Sequence, residues 1–130
     1  MMNRVKIVNF DENIEELVDV CLDGKIITCY AQYSNHILEK NSFWNAKFYG
    51  ENFHEIIIKK EEYGRCNGLY RLGNNFAYDA VGYLNEGQLN CGDVVFEEDF
   101  LLSDFYYLNG QIVYWRIERL EIDFVEKISA

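Results

Sequence analysis

Turn signals punctuate this chain at close intervals, and the runs between them are rich in β-branched and aromatic residues. Asp23-Gly24 follows Val18, Val20 and Leu22 and precedes Ile26, Ile27, Cys29 and Ala31. An Asp-Gly pair accepts positive φ at both turn positions, which a two-residue hairpin requires. Asn109-Gly110 stands in the same way between Phe105–Leu108 and Gln111–Ile117. Asn85-Glu86-Gly87 separates Phe76–Tyr83 from the segment around Val94-Val95-Phe96, and Gly73-Asn74-Asn75 opens the strand before it. Turns at this spacing predict an all-β domain.

The remaining segments refine that expectation. Ile14, Leu17, Val18 and Cys21 have helical spacing with Asp11 as a cap, whereas Val18, Val20 and Leu22 have strand spacing into the Asp-Gly turn. Turn chemistry favours a strand for the second half and leaves a short helix open for residues 11–16. Trp44, Ala46 and Phe48 alternate with Asn45, Lys47 and Tyr49, and a further extended run covers Phe53–Lys60. In the last strand Val113, Trp115 and Ile117 share one side, but the apolar positions beyond are Leu120, Ile122 and Phe124. Parity flips across Glu118 and Arg119, as an inserted residue in a β-bulge would cause. Such a bulge lets one long strand serve two sheets or close a small barrel. The expected fold is a small β-barrel or sandwich with a long bulged C-terminal strand.

Length and composition agree with one domain over residues 1–130. Hydrophobic residues make up 49% of the 130, enough for a single core. Proline is absent, and neither a linker nor a repeat divides the chain. No apolar run is long enough to span a membrane as a helix, and the N-terminus lacks the regions of a secretory signal, so a cytoplasmic location is expected. Cys21, Cys29, Cys66 and Cys91 show neither a Cys-x-x-Cys pair nor zinc spacing, and are expected as buried or half-buried free thiols. The net charge of −10, from 22 acidic against 12 basic residues, argues against nucleic acid and anionic membranes as partners. It suits solubility, and it suits a basic protein partner.

Taken together, the Val18–Ala31 hairpin, the Trp44–Phe48 strand and the bulged Gln111–Phe124 strand resemble the small bacterial β-barrels related to the OB-fold. The stretch Gly92–Phe100 is similar to small, acidic, uncharacterised bacterial proteins, some of them immunity proteins that neutralise a toxin. That resemblance implies no catalytic residue. OB-class proteins that bind nucleic acid use a basic, aromatic-lined face, and the negative charge here departs from it.

No enzymatic motif is present. Gly64–Gly68 lacks the Lys and Ser/Thr of a phosphate-binding loop, and neither a Gly-x-Ser-x-Gly elbow nor a His-Glu-x-x-His helix occurs. His54 and Glu55, as neighbours in a strand, would point to opposite faces. A thiol nucleophile would require Cys29 to meet His36, or Cys66 to meet His54. The acidic residues Glu97, Glu98, Asp99 and Asp104 lack the alternation of a calcium loop. With Phe96, Phe100, Phe105, Tyr106 and Tyr107 between them, they read either as a charged edge that blocks strand pairing or as a protein-binding surface. The ten tyrosines suit half-buried strands without any ligand.

The expectation is therefore a non-catalytic interaction domain without cofactor or metal. Its candidate site is Phe96, Glu97, Glu98, Asp99, Phe100, Asp104, Tyr106 and Tyr107, an immunity-type inhibitor of a basic protein being the specific version. The alternative is a barrel that binds a small molecule or single-stranded oligonucleotide on a concave face of tyrosines, Trp115 and Arg116 or Arg119. A homodimer is compatible with exposed strand edges.

Overall fold

The computed structural model describes residues 2–11, 16–31 and 38–129. Eleven strands, one short helix and one 3₁₀ turn occur among them. In chain order the strands are β1 (Asn3–Phe10), β2 (Leu17–Leu22), β3 (Lys25–Tyr30), β4 (Phe43–Glu51), β5 (Ile57–Lys60) and β6 (Gly68–Arg71). They continue with β7 (Tyr78–Asn85), β8 (Gln88–Asn90), β9 (Val95–Glu97), β10 (Ile112–Ile117) and β11 (Arg119–Ile128). Helix α1 (Asp99–Ser103) and the 3₁₀ turn (Tyr106–Leu108) lie between β9 and β10.

Strands β1, β2, β3, β11 and β4 close into a barrel, in that order, with β4 pairing back onto β1. All its pairs are antiparallel except β3 with β11, which meet in parallel at Tyr30 and Glu121. The interior is filled by the alternate residues of each strand, among them Val5, Ile7, Val18, Val20, Trp44, Ala46, Phe48, Leu120 and Phe124. Trp44 meets Phe124 edge-to-face with centroids 5.7 Å apart. The expected alternation of Trp44, Ala46 and Phe48 is thus the barrel side of β4.

A second sheet, ordered β5-β10-β7-β8-β9 with β6 also on β7, is built from the chain between β4 and β11. The flip in parity marks the passage between the two sheets. β10 pairs with β5 and β7, β11 pairs with β4, and Ile117 and Leu120 on either side are both buried. The bend falls at Glu118, whose N–H donates to the carbonyl of Glu51, and the N–H of Leu120 donates to that of Phe76. One long C-terminal run therefore serves both sheets, as its apolar pattern predicts.

Local turn chemistry holds in part. Asp23 and Gly24 both have positive φ, 48° and 80°, and join β2 to β3. Glu86 and Gly87 do the same at 47° and 81°, but their hairpin closes β7 onto β8. Val95–Glu97 follows as β9 through a turn closed by Cys91 N–H and Val94 C=O. Asn109-Gly110 does not make the expected hairpin. Only Gly110 has positive φ, and Phe105–Leu108 is not a strand but leads into the 3₁₀ turn. The reason is apolar: Leu101 and Leu108 are buried by folding α1 and the 3₁₀ turn over the sheet, which a hairpin strand would not achieve. Of Phe53–Lys60, only Ile57–Lys60 is strand. The short helix considered for residues 11–16 falls largely outside the described residues, whereas Leu17–Leu22 is strand.

All four cysteines are free. Cys21 is half-buried and Cys29 and Cys91 are buried, as expected, but Cys66 is exposed, a correction that follows from its place in the loop before β6. Burial raises the Cys29 thiol pKa and pushes that of Cys91 up to about 12, so neither supplies a thiolate at neutral pH. Among the described residues no helix is long and apolar enough to cross a membrane.

Candidate functional site

The pairing of β4 with β11 sets the outward residues of two strands against each other. Tyr49 lies opposite Glu121, and Glu51 opposite Arg119. Both strands end here at the junction with the second sheet, where α1 begins. The result is a pocket of about 420 Å³ that includes Tyr49, Gly50, Glu51, Glu98, Phe100 and Glu121 in its wall, with Trp115 beneath.

Trp115 organises the floor. Its indole is wholly buried, meets Phe96 and Phe100 in edge-to-face contacts with centroids 5.4 Å apart, and donates from Nε1 to Asn52 Oδ1 at 2.8 Å. The backbone of Gly50 lies directly on the ring: a Cβ there would sit 2.3 Å from Cη2. Glycine is needed at this position for close approach, since its backbone φ is not positive.

Three carboxylates stand around this aromatic floor. Glu121 is spent on Arg119 at 2.8 Å, and that guanidinium is held between the rings of Tyr30 and Phe53, 4.0 and 4.7 Å from their centroids. Among the described residues, neither Glu51 nor Glu98 has a cationic partner. Burial, reinforced by the charges of Asp99 and Glu51, raises the pKa of the Glu98 carboxyl. The folded protein therefore holds that proton more tightly than the unfolded chain does. The stability gained from protonation is present at low pH and fades as pH rises through the folded-state value. Glu98→Gln is accordingly expected to raise the Tm by about 1–2 °C at pH 7, a small gain because the group is partly solvated, and to change little at pH 4. Thermal unfolding at both pH values checks this, and an equal shift at each would refute it.

The structure divides the residues singled out from the sequence. Phe96, at 1% exposure, belongs to the core and is not available to a partner. Phe100 is half-buried on Trp115 and faces the pocket beside Glu98. Glu97, Asp99, Asp104, Tyr106 and Tyr107 are exposed on the neighbouring surface, the two tyrosines at 54% and 71%. The Tyr106 hydroxyl donates to Glu86 at 3.5 Å, and exposed Leu102 packs over Gly87, so the β7–β8 turn joins this face. Tyr49, Glu51 and Glu121 escaped the sequence reading. Their outward parity on β4 and β11 was visible, but the pairing that brings them to Glu98 was not.

The other side of the second sheet carries a separate charged cluster that the sequence reading also missed. Asp79, 1% exposed, accepts from Arg65 Nη1 and from Arg116 Nε and Nη2, each at 2.9 Å. Arg65 also pairs with Glu61 at 3.0 Å and lies between the rings of Tyr70 and Tyr114. Every member has a partner, so the cluster reads as a clamp that fastens the loop after β5 to the sheet.

His54 Nδ1 lies 3.2 Å from Glu118 on the surface, and His36 lies outside the described residues. Among the described residues no group of His, Cys, Asp or Glu is placed to hold a metal ion. Fold and pocket together define a small closed β-barrel carrying an inserted second sheet, with an acidic, aromatic-floored pocket where the two meet. The chain belongs to the family described as Uncharacterised conserved protein UCP019853, whose model matches residues 1–125. No curated protein and no solved structure matches it.

Proposed function

We propose that this chain is a non-catalytic binding domain that docks a basic protein through the Glu51–Glu98–Glu121 pocket and the acidic, aromatic surface from Glu97 to Tyr107. The observation that carries the reading is the pair Glu51 and Glu98. Two carboxylates without cationic partners among the described residues share a pocket whose wall includes Tyr49 and Phe100, an arrangement that a lysine or arginine side chain would complete. Entry of a cation would relieve the repulsion from Asp99 and Glu51 that adds to burial in raising the Glu98 pKa. The charge of −10 would steer such a partner from a distance.

The narrower version is an immunity-type inhibitor that caps a basic toxin or nuclease, in line with the resemblance of the acidic stretch around Glu97. The barrel's strand order, first-second-third-last-fourth with the third and last parallel, supports an OB-like reading of the scaffold. The alternative of a ligand on a concave strand face has less support. Trp115 is enclosed, Arg116 is engaged by Asp79, and Arg119 by Glu121.

Affinity purification of the full chain from its native host, followed by titration of the recovered partner, tests the proposal. A basic partner is expected, and the double variant Glu51→Lys, Glu98→Lys should weaken its binding by about a hundredfold while reducing the salt dependence. Recovery of no protein, or binding indifferent to the double reversal, would rule the reading out.

A further inference from the structure

A second cleft, of about 500 Å³, opens between the β2–β3 hairpin of the barrel and β6 of the second sheet. It shares no lining residue with the acidic pocket. Its walls are unusual in being consecutive: Lys25 to Thr28 on one side and Asn67 to Arg71 on the other. Successive residues of a strand point to opposite faces, so a wall made of both parities is a strand edge.

The ladder bonds say which backbone groups face that gap. Ala31 N–H donates to Glu16 C=O, and with the two-residue turn at Asp23-Gly24 this makes Val18–Cys29, Val20–Ile27 and Leu22–Lys25 the bonded pairs. Ile26, Thr28 and Tyr30 therefore turn their N–H and C=O away from β2. Tyr30 meets β11. The Tyr78 hydroxyl occupies Thr28, accepting from its N–H at 3.0 Å and donating to its C=O at 2.9 Å. Burial pushes the Tyr78 pKa up to about 12, so that hydroxyl keeps the proton it donates. Ile26 has no such substitute, and its side chain is 59% exposed. Across the cleft, Leu72 N–H donates to Ala77 C=O, which makes Gly68 and Tyr70 the residues of β6 bonded to β7. Leu69 and Arg71 turn their backbone groups outward. Among the described residues nothing bonds Ile26, Leu69 or Arg71 on that side.

We propose that this slot receives an extended segment of a partner protein, which adds as a strand between β3 and β6. The open groups are backbone donors and acceptors at alternate positions, and their complement is another strand. Leu22, Ile27, Tyr78, Cys91 and Val94 lie at the base, where alternate apolar side chains of the segment would seat. Lys25 and Arg71 line the slot against the single carboxylate of Asp93, a local positive balance within a chain of −10. That balance favours an acidic side chain in the segment, and long-range repulsion between two such chains disfavours a second copy as the occupant.

The test uses the full chain, panned against a phage-displayed random dodecapeptide library, with the selected peptides then synthesised. At saturation the amides of Ile26, Leu69 and Arg71 should exchange with deuterium at least about tenfold more slowly. N-methylation at alternate peptide nitrogens should weaken binding about tenfold, while methylation at the intervening ones should not. Leu69→Pro removes an N–H that the β6–β7 ladder does not use and should abolish binding with the fold intact. If that variant does not fold, the N-methyl scan on the unaltered chain still decides. Four results would overturn the proposal: no peptide selected, protection confined to other amides, affinity indifferent to methylation, or concentration-dependent protection of these amides without peptide, the mark of self-association. Because the slot and the acidic pocket have separate residues, either can fail while the other stands.

Discussion

Trp115→Ala is expected to cost about 3–5 kcal/mol, the range for removing a large aromatic from a packed core. Against a total stability of about 5–15 kcal/mol for a domain, that is enough to leave the chain close to unfolding. The loss is large because Trp115 joins several elements at once. Its rings meet Phe96 of β9, Phe100 of α1 and the backbone of Gly50 in β4, and its Nε1 holds Asn52. Asn52 in turn donates from Nδ2 to the carbonyl of Arg116 at 2.9 Å, so removing the indole loosens the junction of barrel and sheet. Gly50→Ala attacks the same contact from the other side and should cost about 1–3 kcal/mol, since a buried indole cannot retreat from a Cβ. Urea unfolding of both variants measures these losses. A cost below about 1 kcal/mol for Trp115→Ala would mean that the junction does not depend on it.

Asp79→Ala should cost about 2–4 kcal/mol, because it leaves Arg116 without its carboxylate and Arg65 with Glu61 alone. The upper part of the range for a broken buried pair is not expected, as side-chain exposures of 23% and 49% let the two arginines recover some hydration. Asp79 has a pH signature of its own. Burial pushes its carboxyl pKa up, but the hydrogen bonds from Arg116 and Arg65 outweigh that and hold it below the ordinary value. A depressed folded-state pKa gives stability that is complete above the unfolded value, near 3.9, and is lost as pH falls through the folded one. Urea unfolding between pH 2 and 7 should show this acid loss in the parent chain and a flatter profile in Asp79→Asn. Parallel profiles would assign the acid sensitivity to other carboxylates.

Much of the architecture was legible in short stretches. Asp23-Gly24 closes its hairpin because two residues with positive φ suffice to turn the chain, whatever surrounds them. The flip between Ile117 and Leu120 announces a strand shared by two sheets, because pleat parity is a local property. Asn109-Gly110 shows where such reasoning stops. The dipeptide permits a hairpin, but burying Leu101 and Leu108 requires α1 and the 3₁₀ turn instead, and that gain depends on the sheet beneath them.

Sites divide along the same line. The acidic and aromatic character of residues 96 to 107 could be read directly, but not that Phe96 turns inward while Glu98 turns toward Glu51. Alternation and turn chemistry, acting over a few neighbours, determined a β-rich domain whose last run changes face near Glu118. The structure makes that point a bend between β10 and β11 and puts the bulge of β11 between Phe124 and Glu126. Tertiary structure alone decided the parallel pairing of β3 with β11, the Asp79 clamp and the open edges facing each other across the cleft. Those features join residues far apart in the chain, and only the closing of long loops against a shared core brings them together.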